Sequence, residues 1–265
     1  MNLASPRNVQ ALPFDGPLFS ICSLVNNDSQ YDRMLASFAR YGFSEEDTEF
    51  IFVDNRGGNT FEAYGGLNAM LAKARGRYII CCHQDVELIG DGAHELEARL
   101  DELTAKDPFW AIVGNAGAGP AGRAVRISDP YGDDQHVGTL PAVVHSLDEN
   151  FLLLCRERLI GFSADLAGFH LYGTDACLQA ELRGFTAYVI DFHLRHHSRG
   201  NADASYFECM RRLEDKYGRA FRSRRILTTF KPLYITANAW RARFWRFRKW
   251  QRMRQLRLRR KQGKA

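Results

Sequence analysis

At 265 residues the chain is long for one domain and short for two, so we expect one folded domain followed by a tail. Hydrophobic residues make up 45% and charged residues 25%, which argues against disorder, collagen-like repeats and a membrane-embedded body. Residues 241–265 hold 12 of the 36 Lys and Arg and no Asp or Glu, so residues 1–240 carry an acidic excess. An anionic surface would therefore meet the tail rather than the body.

The chain shows no signal for export. Its longest apolar runs, such as Phe151–Cys155, are far shorter than the roughly 20 residues of a spanning helix. Residues 1–17 lack a basic start followed by an apolar stretch, so we predict a leader without a secretory signal and a cytoplasmic protein. The six cysteines form no C-x-x-C pair, which predicts reduced core residues rather than zinc ligands or disulfides.

Strands and helices alternate in the first part of the chain. The patterns predict strands at 19–25, 49–54 and 77–82, with helices at about 31–41 and 67–74. This alternation indicates a parallel sheet with right-handed crossovers. Ligands bind at the carboxyl ends of such strands, where Asn26, Asp54 and the triplet His83-Gln84-Asp85 stand.

The pattern is weaker after a predicted helix at about 93–104 and a strand at 110–114. We expect Gly- and Asp-rich loops up to Gly138, an extended segment at 143–156, a helix at 173–183 and a strand at 185–194. Residues 117–122 match G-x-G-x-x-G, but Pro120 and the strand-prone continuation do not open a helix that would bind pyrophosphate. We therefore predict a loop there.

His83 and Asp85 follow an apolar strand and, two residues apart in an extended chain, face the same side. Such a pair can hold a divalent metal while substrate oxygens complete the coordination shell, as magnesium and manganese prefer. The alternative is a surface Asp at the end of a strand.

Residues 19–26, 50–59 and 68–85 resemble the family 2 glycosyltransferases of the GT-A fold, and His-Gln-Asp-Val at 83–86 resembles their StrF-like branch. The resemblance covers about residues 18–215. It implies an α/β, GT-A-type nucleotide-sugar-binding fold, with a mostly parallel central sheet flanked by helices. The domains would then be a leader at 1–17, the GT-A-like domain at 18–238 and a basic aromatic helical tail at 239–265.

The same resemblance implies transfer of a sugar from a nucleotide-diphosphate sugar to an acceptor hydroxyl. The reaction would be inverting, would use Mn²⁺ or Mg²⁺ and would serve cell-surface polysaccharide or glycoconjugate synthesis, with a saccharide or lipid-linked acceptor. The segment at 117–122 would border the acceptor site.

Carried over residue by residue, the resemblance places Asp54 beside the nucleotide base or ribose and Asn68 near the donor. Asp85 becomes the metal-binding carboxylate, with His83 in the first Asp position of a D-x-D-like element. Asn26 and Gln84, at the same strand ends, join the donor-binding residues. A turn before Gly57-Gly58 is the alternative role for Asp54.

Asp175 opens the predicted helix at 173–183. The resemblance gives it the role of general base towards the acceptor hydroxyl, while Thr174 replaces the acidic neighbour that is frequent in the family. The alternative is a helix cap, which stabilises a helix by about 1 kcal/mol.

A pair of histidines follows the last predicted strand. They resemble the histidine that completes the metal or diphosphate site in the family, with His196 the first choice and His197 the second. A structural role is the alternative for each.

The tail interleaves aromatic and basic residues. On a helix Trp240, Phe244 and Phe247 share a face with Leu258, while Trp245 lies away from it. We rank binding to anionic lipid headgroups first, a disordered solubilising extension second and nucleic-acid binding third. A peripheral place at the inner face of the cell membrane follows from the first.

Two other functions compete with glycosyl transfer. A catalytically silent glycosyltransferase-like domain, anchored by its tail, is favoured by Thr174. A sugar nucleotidyltransferase would begin with a Gly-rich, Arg-containing loop after the first strand, where this chain has Asn26-Asn27-Asp28-Ser29.

Overall fold

The computed structural model describes residues 14–200, 203–226, 229 and 233–248. The chain divides into two units, Met1–Met210 and Arg211–Ala265, which we call the first and the second unit. Most of the predicted leader and residues 249–265 of the predicted tail lie outside the described residues.

The described helices and strands alternate at first and then give way to short strands. The helices are α1 (Asp28–Arg40), α2 (Ala63–Leu71), α3 (Ala93–Lys106), α4 (Tyr172–Leu182) and α5 (Ala204–Phe221). The strands are β1 (Phe19–Val25), β2 (Thr48–Asp54), β3 (Tyr78–Cys82), β4 (Val86–Leu88), β5 (Trp110–Gly114), β6 (Ala116–Gly119), β7 (Gly122–Asp129), β8 (Gly132–Val137), β9 (Ala142–Val144), β10 (Ser146–Leu147), β11 (Phe151–Cys155), β12 (Thr186–Val189), β13 (Leu194–His196), β14 (Arg224–Ile226) and β15 (Leu233–Ile235).

The central sheet has the strand order β2-β1-β3-β11-β5-β12-β9. β1 pairs in parallel with β2 and β3, and β12 with β5, but β11 is antiparallel to both of its neighbours. The sheet is therefore mixed rather than mostly parallel. Residues 115–150 leave β5 at its carboxyl edge and return to the same edge without a helical crossover, so β11 must run back.

A second sheet, in the order β10-β6-β7-β13-β4 with β8 paired to β7, occupies the region predicted as loops. The loop prediction for 117–122 is wrong, because β6 and β7 form a hairpin in which Gly119 pairs with Gly122. Gly122, at φ 103°, adopts the left-handed conformation that the turn requires. The sequence of β6 shows no alternation of polar and apolar residues because it consists of glycine and alanine. At Gly117 a β-carbon would overlap the Ser146 carbonyl oxygen, so a larger residue does not fit there. The strand predicted at 185–194 is two strands, β12 and β13, in different sheets.

The core of the first unit follows from the alternation of side chains along β1. Ile21 faces α1 and joins Met34 and Phe38 in the main apolar cluster. Leu24 faces the other side, where α2 comes so near that a β-carbon at Gly66 would meet the Leu24 side chain. The six cysteines are all buried, which confirms their prediction as core residues.

Local capping sets the start of α1 three residues before the predicted position. The Asn27 side chain accepts a hydrogen bond from the backbone N–H of Gln30, as an N-cap residue does. Asn26 is thereby left between the end of β1 and the first turn of α1.

The second unit contains the antiparallel pair β14 and β15 and a helical segment at 239–248. Asn238 caps this segment, since its side chain accepts a hydrogen bond from Arg241 N–H. Trp245, which lies away from the aromatic face, packs on Tyr234 of β15 at 5.2 Å between ring centroids. None of the described helices has the length and apolar character needed to cross a bilayer.

Candidate active site

A cavity of about 350 Å³ lies at the carboxyl ends of β1, β2 and β3. The parallel pairing of these strands brings Asn26 and the His83-Gln84-Asp85 triplet to one edge, as predicted from the alternation, and Asn55 takes the place predicted for Asp54 in the cavity wall. Phe169, Tyr172 and Ser198 complete the wall from other parts of the chain.

His83, Asp85 and His196 form a cluster in this cavity. His83 Nδ1 lies 3.1 Å from His196 Nε2, which lies 3.4 Å from Asp85 Oδ1, and the two outer atoms are 4.0 Å apart. Two ligands about 2.1 Å from one cation at 90–109° are separated by roughly 3.0–3.4 Å. Two of the three separations lie in this range and the third, from His83 to Asp85, is longer, so the three side chains are near the spacing that one divalent ion requires.

Electrostatics favours the ligand forms of these groups. Partial burial would raise the pKa of Asp85, but the hydrogen bond from His196 and the charges of both imidazoles lower it to about 2. Desolvation, and then the neighbouring His196, lower the pKa of His83 below its ordinary value. A metal binds the carboxylate and the neutral imidazole, so neither group needs to lose a proton near pH 7.

Side chains around the cluster orient it. His83 Nε2 lies 2.9 Å from the Tyr172 hydroxyl, and the Ser198 hydroxyl lies 2.9 Å from His196 Nε2. A partner on the ring nitrogen away from the metal fixes ring orientation in metal sites, as Tyr172 does for His83, whereas Ser198 contacts the His196 Nε2 that faces the cluster. Sequence reasoning gave no role to Tyr172 or Ser198, although Tyr172 stands three residues before Asp175 and Ser198 follows the predicted pair of histidines.

His197 lies apart from the cluster. Neighbouring strand residues point to opposite faces, and its Nε2 lies 2.9 Å from Glu87 Oε2. Of the two predicted histidines, His196 lies with His83 and Asp85, whereas His197 pairs with Glu87.

Gln84 joins the end of β3 to the start of α1. Its Oε1 accepts hydrogen bonds from the backbone N–H groups of Asn26 and Asn27 at 2.8 and 3.0 Å. Its Nε2 donates to the side chains of Asn26 and Gln30. The predicted donor-binding residue thus holds the shape of the cavity wall, in which Asn26 also stands.

Asp54 is engaged by a neighbour at the cavity rim. Arg56 donates to both of its carboxylate oxygens, at 2.8 and 2.7 Å, and also binds Asp28. The hydrogen bonds from Arg56 lower the pKa of Asp54 to about 2. Asn55 and Asn59, rather than Asp54, line the cavity beside it.

Asn68 serves the backbone. Its Oδ1 accepts from Phe162 N–H and its Nδ2 donates to the Phe162 carbonyl, at 3.0 and 2.9 Å. Both polar atoms of the Asn68 side chain are therefore engaged by Phe162. Its predicted place near the donor stays a prediction.

Asp175 is fully buried in the first turn of α4. Ser163 N–H donates to its Oδ2 at 2.7 Å and the Ser163 hydroxyl to its Oδ1 at 2.6 Å. Leu171, not Asp175, occupies the N-cap position. The general-base role stays a prediction, and it would require the Ser163 contacts to open.

A second cavity of about 360 Å³ lies beside the start of α4. Asp148 and Glu149 line it, and neither was singled out from the sequence. The available signal was their position, since the two adjacent acids and Asn150 precede the buried strand β11. Gly117 and Ala118 of the β6 strand stand in the same wall.

Three solved structures resemble this one. A mannosyltransferase from Pyrobaculum calidifontis in complex with GDP-Man and Mn²⁺ has a TM-score of 0.50 and 14% identity, covering 80% of this chain and 68% of its own. S. aureus TarS residues 1–349 in complex with UDP-GlcNAc has a TM-score of 0.52 and 11% identity, covering 75% of this chain and 66% of its own. GalNAc-T7 with UDP, GalNAc and Mn²⁺ has a TM-score of 0.53 and 11% identity, covering 76% of this chain and 48% of its own. These likenesses show that the fold is of the GT-A type.

No family model matches the chain. A Fuscovulum blasticum protein named "ATP synthase subunits region ORF 6" is 43% identical over 226 residues, which cover 83% of this chain and 91% of that protein. The chain belongs to the same family as this relative.

Proposed function

We propose that this protein transfers a sugar from a nucleotide-diphosphate sugar to an acceptor hydroxyl. The observation that carries the proposal is the cluster of His83, Asp85 and His196 in a cavity at the carboxyl edge of a GT-A-type sheet. The likeness to structures holding GDP-Man, UDP-GlcNAc or UDP supports it at the level of the fold. The StrF-like branch, inversion and a role in glycoconjugate synthesis belong to the same proposal.

The donor set favours Mn²⁺ over Mg²⁺. Imidazole nitrogens suit transition-metal ions, whereas Mg²⁺ prefers an all-oxygen shell. A bound cation would stabilise the negative charge that develops on the departing nucleoside diphosphate. Tyr172 would hold the His83 imidazole in place, while Asp85 supplies the one carboxylate of the cluster.

The rest of the cavity would hold the nucleoside part of the donor. Asn26, Asn55 and Asn59 present amide donors and acceptors to its wall, and Leu24 and Leu67 give it an apolar side. A polar rim on an apolar floor is typical of small-ligand sites. In this proposal Gln84 and Asp54 act by fixing the wall.

Calorimetric titration with GDP-mannose, UDP-GlcNAc and UDP-GalNAc, each with and without MnCl₂, tests the proposal. We expect one of them to bind in a manganese-dependent way, and the nucleoside diphosphate to be released on prolonged incubation. Lack of manganese-dependent binding across the panel would contradict the proposal. Binding without release over days would favour the catalytically silent domain instead.

A second proposal concerns a membrane partner. The second unit holds 20 Lys and Arg against two Asp and Glu. Within it Trp240, Phe244 and Phe247, one turn apart on the segment at 239–248, are 81%, 62% and 52% exposed. Basic residues interleaved with exposed aromatic ones suit an anionic lipid surface, which supports a peripheral place at the inner face of the cell membrane.

A further inference from the structure

Phe169 is a large apolar side chain that stays exposed in the first cavity. It lines the cavity together with Tyr172 and Ser198, which contact the two histidines of the candidate metal cluster. Tyr172 is buried between Tyr64 and Phe162, at 6.1 and 5.8 Å between ring centroids, whereas Phe169 is 40% exposed. Much of the surface of this ring is therefore left open to a ligand.

The chain before Phe169 is tied to the start of α2. Gly168 N–H donates to Glu62 Oε2 at 2.9 Å, and the Gly168 carbonyl accepts from Ala63 N–H at 3.1 Å. Gly168 has φ 105°, in the left-handed region that favours glycine. The turn that leads into the ring is thus specified by the sequence and held by two hydrogen bonds.

The chain after Phe169 is tied to α2 and α5. The His170 carbonyl accepts hydrogen bonds from the Tyr64 hydroxyl and the Cys209 thiol, each at 3.0 Å. Leu171 follows at φ 61°, a conformation that residues other than glycine rarely adopt. Backbone strain of this kind is concentrated at ligand sites. With both sides anchored, the ring is pre-organised, which lowers the entropy cost of placing a ligand against it.

The neighbours of Phe169 indicate which part of the proposed donor it meets. The asparagines assigned to the nucleoside come from the ends of β1 and β2 and the loop after β2. Phe169 instead stands three residues before Tyr172, on the segment that contacts His83 of the metal cluster. In a nucleotide-diphosphate sugar, the diphosphate joins the nucleoside to the sugar. A ring grouped with the metal cluster rather than with the nucleoside wall is therefore placed to meet the sugar.

An aromatic ring suits a sugar as its ligand. The face of a phenyl ring carries partial negative charge and attracts C–H groups, several of which point to one side of a pyranose. Phe169 has no polar atom in its side chain, so its contribution is confined to this contact. The hydroxyls at the edge of the sugar stay free to bond to polar groups or water.

We infer that Phe169 is the platform on which the transferred sugar of the donor stacks. This inference rests on the proposed glycosyl transfer and names a residue that determines its specificity. Sugars that present an apolar side of C–H groups gain affinity from the ring. The nucleoside diphosphate alone gains none.

The test compares two ligands by calorimetry with MnCl₂: the nucleotide sugar of the panel that the wild type binds, and its nucleoside diphosphate. Phe169→Leu keeps an apolar side chain but removes the ring. We expect its affinity for the nucleotide sugar to fall about five- to tenfold, while its affinity for the nucleoside diphosphate stays within about twofold of the wild type. Phe169→Tyr retains the ring and should bind both ligands as the wild type does.

Phe109→Leu is the matched control. Phe109 is 60% exposed and immediately precedes β5, which runs in the same direction as β1 and β3. It therefore lies at the amino edge of the sheet, opposite the cavity, and its replacement should change neither affinity. Because both phenylalanines are exposed, all three variants should melt near the temperature of the wild type.

The outcomes separate this inference from the proposed function. Unchanged affinity for the nucleotide sugar in Phe169→Leu would overturn the platform and leave glycosyl transfer standing. Equal loss for both ligands would also overturn it, because Phe169 would then contact the nucleoside or shape the cavity. A loss in Phe169→Tyr as large as that in Phe169→Leu would do the same, since the ring is retained. Wild-type protein that binds no nucleotide sugar in a manganese-dependent way would overturn the transferase and with it the platform.

Discussion

The two units of this chain differ in how they use charge. The first unit holds 29 Asp and Glu against 16 Lys and Arg, and the candidate site residues have their polar atoms bound to other parts of the protein. The second unit holds 20 basic residues against two acidic ones and leaves large aromatic side chains exposed. The difference predicts that the proposed donor binding and the proposed attachment to an anionic surface can be separated by mutation. An acidic first unit is repelled by an anionic surface, so the second unit alone would supply the attraction.

Truncation after Asn238 should give the largest effect. It removes the segment at 239–248 and all 12 basic residues of 241–265. Each Lys or Arg near an anionic surface contributes about 1 kcal/mol, so engagement of four of them changes the affinity about 10³-fold. Co-sedimentation with phosphatidylserine vesicles at low salt should be lost, while manganese-dependent donor binding persists.

The same assay should show full-length binding weakening as salt is added, because screening shortens the reach of the surface potential. Full-length protein that ignores anionic vesicles at low salt would contradict the membrane proposal. If RNA competes for the tail more strongly than the vesicles do, the partner is a nucleic acid.

Asp85→Asn tests the other side of the comparison. It removes the only carboxylate of the metal cluster, so affinity for the donor in MnCl₂ should fall roughly 10²-fold. Vesicle binding should stay unchanged because the second unit is untouched. Calorimetry and co-sedimentation on one preparation measure both, and unchanged donor affinity would remove Asp85 from the site.

Phe244→Ala sharpens the contribution of apolar contacts to membrane binding. Phe244 is 62% exposed on a basic segment, and its removal should weaken vesicle binding about tenfold. Phe109, which is 60% exposed in the acidic first unit, is the matched control, and Phe109→Ala should have no effect. Equal loss in both variants would mean that the aromatic side chain matters wherever it lies.

Glu149→Gln should give the smallest effect, on stability alone. Because burial raises the folded-state pKa of Glu149 to about 8, above its usual 4.5, ionisation destabilises the fold as pH rises from about 4.5 to 8. The neutral amide avoids that cost, so the variant should melt several degrees higher than the wild type at pH 9 and equally at pH 4. Thermal melts across this range measure it, and a constant difference at all pH values would contradict the buried-acid explanation.

Sequence reasoning located the first strands and the candidate metal cluster because their signals are local. The apolar run at 19–25 is β1 residue for residue, and the polar triplet after β3 lies in the cavity as predicted. The β6 hairpin could not be predicted, because glycine and alanine show no alternation of polarity. The environment of Asp175 was equally hidden, since Ser163 reaches it from a loop with no motif.

The path of the chain around β11 bears on how such proteins can diversify. Residues 115–150 begin and end at the same edge of the central sheet, and they supply most of the wall of the second cavity. Insertions or deletions there would leave the register of β1, β2 and β3 unaltered, because those strands pair with one another independently of that excursion. Such changes would alter the wall of the second cavity and leave the strand ends that form the first cavity in place.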